Sequence, residues 1–388
     1  MVRTYDVIVL GLGGIGSAVL RALAQRGIRV LGVDRFHPPH DRGSSHGTTR
    51  IIRQAYFEHP DYVPLARRAY RLWSELEAER SETLFHRVGV LQIGPSAGRV
   101  IRGVLRSAEQ HGLAVDVMNV AEVERRYPLL RVPETGSEMV GVLERDAGYL
   151  LVEQGVATML ASAEAAGAER LAGIAVTDWR ASRSGVAVET GEGTFEAATL
   201  VLAPGPWAPA LLRDAAIPLR VLRKHLHWTK APSSYRASRG FPGFLFELPE
   251  GVFYGFPSLD DAGVKVAEHS GGEPVDDPGA ASREADRGDI ERVARFVSQC
   301  LPGLTWNPTR HAVCFYTMTP DEHFVVGRLP TADQVFLAAG FSGHGYKFAP
   351  AIGELLADLV INHAAGGQDA SDPILFLSPR RFAADRST

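Results

Sequence analysis

The sequence predicts an α/β dinucleotide-binding domain of Rossmann-like type joined to an inserted, β-rich α+β domain, and three observations carry that expectation. The first is the N-terminus, where an apolar strand from Val7 to Leu10 meets Gly11, Gly13, Gly14 and Gly16, followed by a helix that stops at Gly27. The second is an acid closing the next strand: Asp34 stands 23 positions after Gly11, near the ~20 expected of a carboxylate that binds a ribose hydroxyl. The third is helix–strand alternation that lapses, returns after residue 150 and returns again near the C-terminus. Each glycine has a physical task. Gly11 permits the tight turn, Gly13 lets backbone approach a pyrophosphate, and Gly16 lets helix pack on strand. The pyrophosphate is expected on the free N–H groups at the helix N-terminus, where the dipole favours negative charge. The motif leaves open which dinucleotide is bound.

The remaining elements follow in order. After a glycine- and proline-rich loop, Pro38 to Thr49, a helix opens at Pro60 and Pro64 with Leu65, Ala69, Leu72, Trp73 and Leu76 on one face. Short strands (Val88 to Ile93, Val140 to Leu143) flank a helix near Arg102 to His111. Glu153 to Ala166 reads as a helix, and Thr199 to Ala203 as a buried strand ending in Pro204-Gly205. From Leu219 to Tyr316 strands and turns dominate (His225 to Thr229, Val252 to Phe256, Val264 to Ala267), interrupted by a helix from Asp289 to Cys300. Val335 to Ala339 is a strand, GFSGHGYK a glycine-rich loop, and Pro350 to Ile361 a helix. The dinucleotide domain is therefore expected in three pieces, 1–86, 150–215 and 322–388, with the substrate domain at 87–149 and 216–321. A last βα unit recruited from the far C-terminus is more typical of FAD proteins than of nicotinamide dehydrogenases, which is an argument from fold analogy.

A chain of 388 residues suggests about two domains. A net charge of −4, with no basic run interleaved with aromatics, argues against nucleic acid and an anionic membrane surface. No secretory segment or membrane span is expected, and two cysteines, Cys300 and Cys314, fit a reducing, cytoplasmic setting. His225 and His227 share a strand face without a third ligand at suitable spacing, so no metal is expected.

Six stretches together resemble the monomeric sarcosine oxidase family, which includes N-methyltryptophan oxidase, among the D-amino-acid-oxidase-like flavoproteins. They are GLGGIG near the start, GSSHGTTRIIRQAY from Gly43, GVFYGFP from Gly251, GVKVAEH from Gly263, HAVCFYTMTPDEHFVVG from His311 and AAGFSGHGYKF from Ala338. The resemblance spans the chain in order. It implies FAD joined through a thioether to one cysteine, a monomer, and oxidation of a secondary amine by O2 to an imine that hydrolyses, with H2O2 as co-product.

The resemblance assigns roles that the residues alone leave open. Cys314, which could be only a small buried hydrophobe, takes the flavin-attachment position. Arg53 takes the substrate carboxylate, for which a guanidinium fork is suited, and Arg50 and His46 lie beside the flavin. Lys347 becomes the second carboxylate partner. Gly343, His344, Gly345 and Tyr346 lie against the isoalloxazine, with further cofactor contacts at Ser44, Val176 and Gly205. Lys265, between two valines, could be an edge-strand guard. The resemblance instead makes it the group that activates O2, its ammonium stabilising negative charge as oxygen is reduced. Tyr254 and His269 orient the amine, and Tyr316, Phe256 and Leu245 wall the pocket. Known members carry GSHHGDTR in the flavin loop, where this chain has Ser45 and Thr48, and methionine where this chain has Leu245. Sarcosine is the first expected substrate, with N-methyl-L-tryptophan or another bulkier or cyclic amine as alternative. A dehydrogenase passing electrons to an acceptor other than O2 is the rival of another type.

Overall fold

The computed structural model describes residues 3–212, 215–365 and 375–382. Residues 1–2, 213–214, 366–374 and 383–388, all within the expected dinucleotide domain, lie outside the described residues.

The first sheet is built on the N-terminal strand, Arg3–Leu10, which pairs in parallel with Val30–Asp34 on one side and Gly193–Leu202 on the other. Strand alternation sends Val7 and Val9 into one core and Ile8 and Leu10 into another. The helix Gly14–Ala24 lies on the first of these faces. A side chain at Gly16 would meet the Gly11 carbonyl at 1.7 Å, so only glycine lets helix and turn close together there. Gly11 itself has φ +88°, and a side chain on it would meet the Ala203 carbonyl at 2.4 Å. The helices Tyr62–Arg80, Val152–Ala165 and Ala349–Ala364 contribute to the same core. The C-terminal strand Val335–Ala339 joins in parallel to Gly193–Leu202, bringing the far end of the chain into the first sheet.

The second sheet contains nine strands between residues 90 and 318. Its centre runs Arg220–Thr229, Val264–Glu268, Gly251–Phe256, Gly243–Leu248 and Val90–Pro95 in spatial order, with Pro308–Met318 pairing on Arg220–Thr229. One face packs on the helix Arg287–Cys300 through Phe244, Phe246, Phe253 and Phe296. The other carries Leu226, Leu245, Tyr254, Phe256 and Cys314 and faces the glycine turn's end of the first sheet. A third, small sheet joins Thr49–Ile52, Gly148–Leu151 and Phe85–Arg87. Among the described residues, no helix is long and apolar enough to cross a membrane.

Arg50 lies on a strand, Thr49–Ile52, opposite Leu150. Three local expectations are corrected. Lys265 sits in a strand paired on both sides, so the edge-guard reading fails. The second-domain helix begins at Arg99, not Arg102, because the Glu247 carboxylate of another strand accepts from the Arg99 and Val100 N–H groups at 2.9 Å. The strands Glu169–Ala172, Val176–Ser182 and Gly185–Thr190 precede the one strand expected in that region. Val176–Ser182 is largely exposed and polar, so it lacks the alternation that betrays a half-buried strand.

Candidate functional site

One deep cavity runs from the glycine turn to the facing wall of the second sheet. At the first end lie Gly11, Gly13, Gly14 and Asp34. No side chain caps the helix from Gly13, which leaves backbone donors directed at the cavity. The Gly14 N–H donates to Ser45 Oγ at 3.0 Å. Asp34 is buried, and its carboxylate accepts from the Leu12 N–H at 2.7 Å and the Phe36 N–H at 2.8 Å. Val176 and Gly205 line the same end. Gly16 does not line the cavity and serves the helix–turn packing instead.

Cys314 stands midway, on the long strand Pro308–Met318. Arg50 Nη2 approaches its Sγ at 3.2 Å and also donates to the Ser44 carbonyl at 2.8 Å. Ser44 Oγ donates to the Phe315 carbonyl at 2.7 Å, tying the loop to the same strand. His46 is buried beside this group without lining the cavity. Burial, then Arg50, pushes its imidazole down to about 4.

The far end brings together Arg53, Lys347, Leu245, Tyr254, His269 and Tyr316. His269 Nδ1 lies 3.3 Å from the Tyr316 hydroxyl. Burial pushes the His269 imidazole down to about 4, with Glu58 opposing and Lys224, Arg53 and Lys347 assisting, so the ring is neutral at physiological pH. Lys347 Nζ donates to the His344 carbonyl at 2.8 Å and to the Tyr56 hydroxyl at 3.3 Å. Burial, then Arg53, brings the Lys347 ammonium down to about 7. Gly343, His344, Gly345 and Tyr346 form the adjoining wall. There the Tyr346 hydroxyl is held by the Val152 carbonyl at 2.8 Å, and His344 Nδ1 by the Tyr56 hydroxyl at 2.7 Å.

Two expected site residues lie behind the wall. Lys265 and Phe256 are buried and do not line the cavity. Lys265 Nζ donates to the carbonyls of Gly47 at 2.6 Å and Thr49 at 2.9 Å, directly under the loop that leads into the Arg50 strand. It sits 4.9 Å from the Phe256 ring centroid.

Sequence reasoning missed three residues here. Glu58 lines the cavity and pairs with Arg53 Nη2 at 2.8 Å, both side chains being 4% exposed, so the guanidinium expected to await a carboxylate already holds one. Glu153 accepts from the Gly47 N–H at 2.7 Å and the Thr48 N–H at 3.0 Å, fixing the loop over Lys265. Lys224 lies beside the Tyr316 ring and holds the turn after His269, with no local motif to mark it. The one signal available was an acid five positions after Arg53.

A family profile described as FAD dependent oxidoreductase (DAO) matches residues 6–359. The chain is 40% identical over 390 residues to a monomeric sarcosine oxidase of Streptomyces avermitilis, covering 99% of both chains. It is 37% identical to an N-methyl-L-tryptophan oxidase of Yersinia pestis, covering 91% of this chain and 94% of that one. Its fold superposes on the solved open form of NikD, described as an unusual amino acid oxidase essential for nikkomycin biosynthesis. That match has a TM-score of 0.84 at 26% identity and covers 97% of this chain and 98% of the other. The chain belongs to the DAO family of FAD-dependent oxidoreductases, beside the monomeric sarcosine and N-methyltryptophan oxidases, and is an FAD-dependent amine oxidoreductase.

Proposed function

We propose that the protein oxidises N-methyl amino acids such as sarcosine, with FAD attached at Cys314 and O2 as the electron acceptor. The balanced reaction takes one secondary amine, O2 and water to the demethylated amine, formaldehyde and H2O2. The observation that carries the reading is the continuity of the cavity. A glycine turn suited to a dinucleotide runs past a free thiol into a pocket holding Arg53, Lys347, a neutral imidazole and two tyrosines.

The residues present fit FAD. The helix N-terminus at Gly13, the glycine backbone and Asp34 suit the pyrophosphate and ribose. Gly11, Gly13, Gly14, Ser44, Gly205 and the 343–346 loop would hold the cofactor. When bound it supplies a two-electron acceptor that reacts with O2. The chain's own residues do the rest. Lys347 and Arg53 bind the carboxylate, and Tyr254, Tyr316 and neutral His269 direct the amine nitrogen so that its methyl carbon stays in one orientation. Leu245 closes the apolar wall and excludes water. Among the described residues only Val117 and Leu375 are large apolar side chains left exposed, which supports a monomer.

The test is acid precipitation of the purified protein. Yellow colour is expected in the pellet, with the flavin mass on the peptide containing Cys314, and in the supernatant for Cys314→Ser. Colour retained in the Cys314→Ser pellet would refute attachment there. A panel of N-methyl amino acids scored by anaerobic bleaching then tests the substrate class, and bleaching by none of them would overturn it.

Lys347 gives a pH prediction. Its ammonium, brought down to about 7, is charged below that pH and neutral above it, so attraction for a carboxylate is lost as pH rises through 7. Inhibition by acetate is therefore expected to weaken roughly tenfold per unit above pH 7. In Lys347→Met the inhibition constant should stay flat across that range. A flat profile in the unmodified protein would remove Lys347 from carboxylate binding.

A further inference from the structure

We infer that Lys224 is a positioning residue for substrate, its buried side chain lying beside the Tyr316 ring and fixing the turn that follows His269 at the cavity wall. The inference rests on the reading of this cavity as an amine site.

Lys224 is opposite Cys314 in the antiparallel ladder between Arg220–Thr229 and Pro308–Met318, so its side chain leaves the sheet on the cavity side. It is 4% exposed. Beside it the sheet is interrupted. The strand Val264–Glu268 ends, and the chain regains the ladder only at Glu273, opposite Arg223. The intervening residues 269–272 swing out of the sheet, with Gly271 at φ +65° and Gly272 at φ +109°. The Lys224 ammonium donates to the carbonyls of Ser270 and, at 3.2 Å, Gly271. A side chain at Gly272 would meet Lys224 Cδ at 2.9 Å, so lysine and turn are shaped to each other.

The rest of the turn is held from other directions. The His269 N–H donates to the Val252 carbonyl at 2.6 Å, and Ser270 Oγ donates to Glu268 Oε1 at 2.8 Å. Glu268 is in turn engaged by Arg292 at 2.8 Å. Those contacts fix where the turn begins. Lys224 reaches its apex, and the same Nζ lies 5.4 Å from the Tyr316 ring centroid. One ammonium therefore touches the support of both members of the His269–Tyr316 pair. Removing it takes from the Ser270 and Gly271 carbonyls the donor that ties this half-exposed turn to the sheet, and the apex is free to move.

The experiment compares Lys224→Met with Lys224→Gln in the flavin-loaded protein. Glutamine's amide keeps N–H donors for the turn without the charge. Lys224→Met is expected to raise KM for the N-methyl amino acid that best bleaches the unmodified protein by roughly 10–100-fold, the scale set by misplacing a reacting group by about 1 Å. Its effect on air reoxidation of the dithionite-reduced protein should be far smaller. Hydrogen exchange in the peptide spanning residues 268–274 should quicken in Lys224→Met, and both KM and exchange should recover in Lys224→Gln. Unaltered KM and exchange in Lys224→Met would overturn the inference, as would a glutamine variant no better than methionine. So would parallel loss of flavin content, KM and reoxidation, which marks general disruption. If no N-methyl amino acid bleaches the unmodified protein, the substrate reading fails, and the exchange comparison still decides whether Lys224 holds the turn.

Discussion

Lys265→Met is expected to slow air reoxidation of the reduced protein by roughly 10²–10³-fold, the cost of losing one preorganised electrostatic group, while anaerobic reduction by substrate changes little. Two observations bear on this in opposite directions. Burial, then Arg50, pushes the Lys265 ammonium well below the usual lysine range. Against that, the carbonyls of Gly47 and Thr49 lie within 2.9 Å of Nζ, with Thr49 Oγ1 at 3.3 Å, and carbonyl oxygens can only accept. Such acceptors favour the protonated amine, and on the proposed reading that charge would act on oxygen from behind the cavity wall. The sign with pH follows from the depressed pKa. The ammonium is present at low pH and lost as pH rises through its value in the folded protein, so reoxidation should slow on the alkaline side in the unmodified protein alone. Stopped-flow reoxidation against pH for both proteins checks it. Equal losses in both half-reactions would assign Lys265 to the support of the Gly47–Thr49 loop instead.

The parts of this molecule that were legible in sequence are those encoded within a few residues. The glycine turn, the acid at Asp34 and the HAVCFYTM run around Cys314 can be read because their spacing is itself the structure. The cavity's second half is different. Arg53 and Glu58 are five apart, yet their pairing depends on Gln54 and Ala55 donating to Glu144, at 2.8 and 2.9 Å, from a strand about 90 positions away. Lys224 faces the turn after Glu268 only because two strands pair in a particular register. The helix start at Arg99 depends on Glu247, 148 positions on. Long-range acceptors leave no periodicity in the chain that uses them, so these features were open to the fold and closed to pattern reading.

Arg53→Met is expected to lower both stability and substrate affinity, and Glu58→Gln to separate the two. In the resting protein Arg53 Nη2 meets both Glu58 oxygens, at 2.8 and 2.9 Å, and its guanidinium lies 4.3 and 4.5 Å from the ring centroids of Tyr56 and Phe57. Burial alone would raise the Glu58 carboxyl, and the guanidinium overrides it, holding the group below the usual carboxylate range. Deleting the arginine leaves an uncompensated buried carboxylate, a loss of about 3–5 kcal/mol, or roughly 4–6 °C in Tm for a chain of this length. Glu58 would then titrate above its ordinary value, so the variant's deficit should shrink as pH falls and the carboxyl takes up a proton. Glu58→Gln makes the converse change. It keeps Arg53 charged and removes the carboxylate that competes with substrate, so acetate and substrate should bind more tightly than to the unmodified protein. Arg53→Met should weaken both. Thermal denaturation and acetate inhibition on the two variants read these effects independently. Tighter binding in Glu58→Gln identifies the ion pair as the resting occupant of the carboxylate site, whereas weaker binding in both variants would mean that Glu58 serves to orient Arg53.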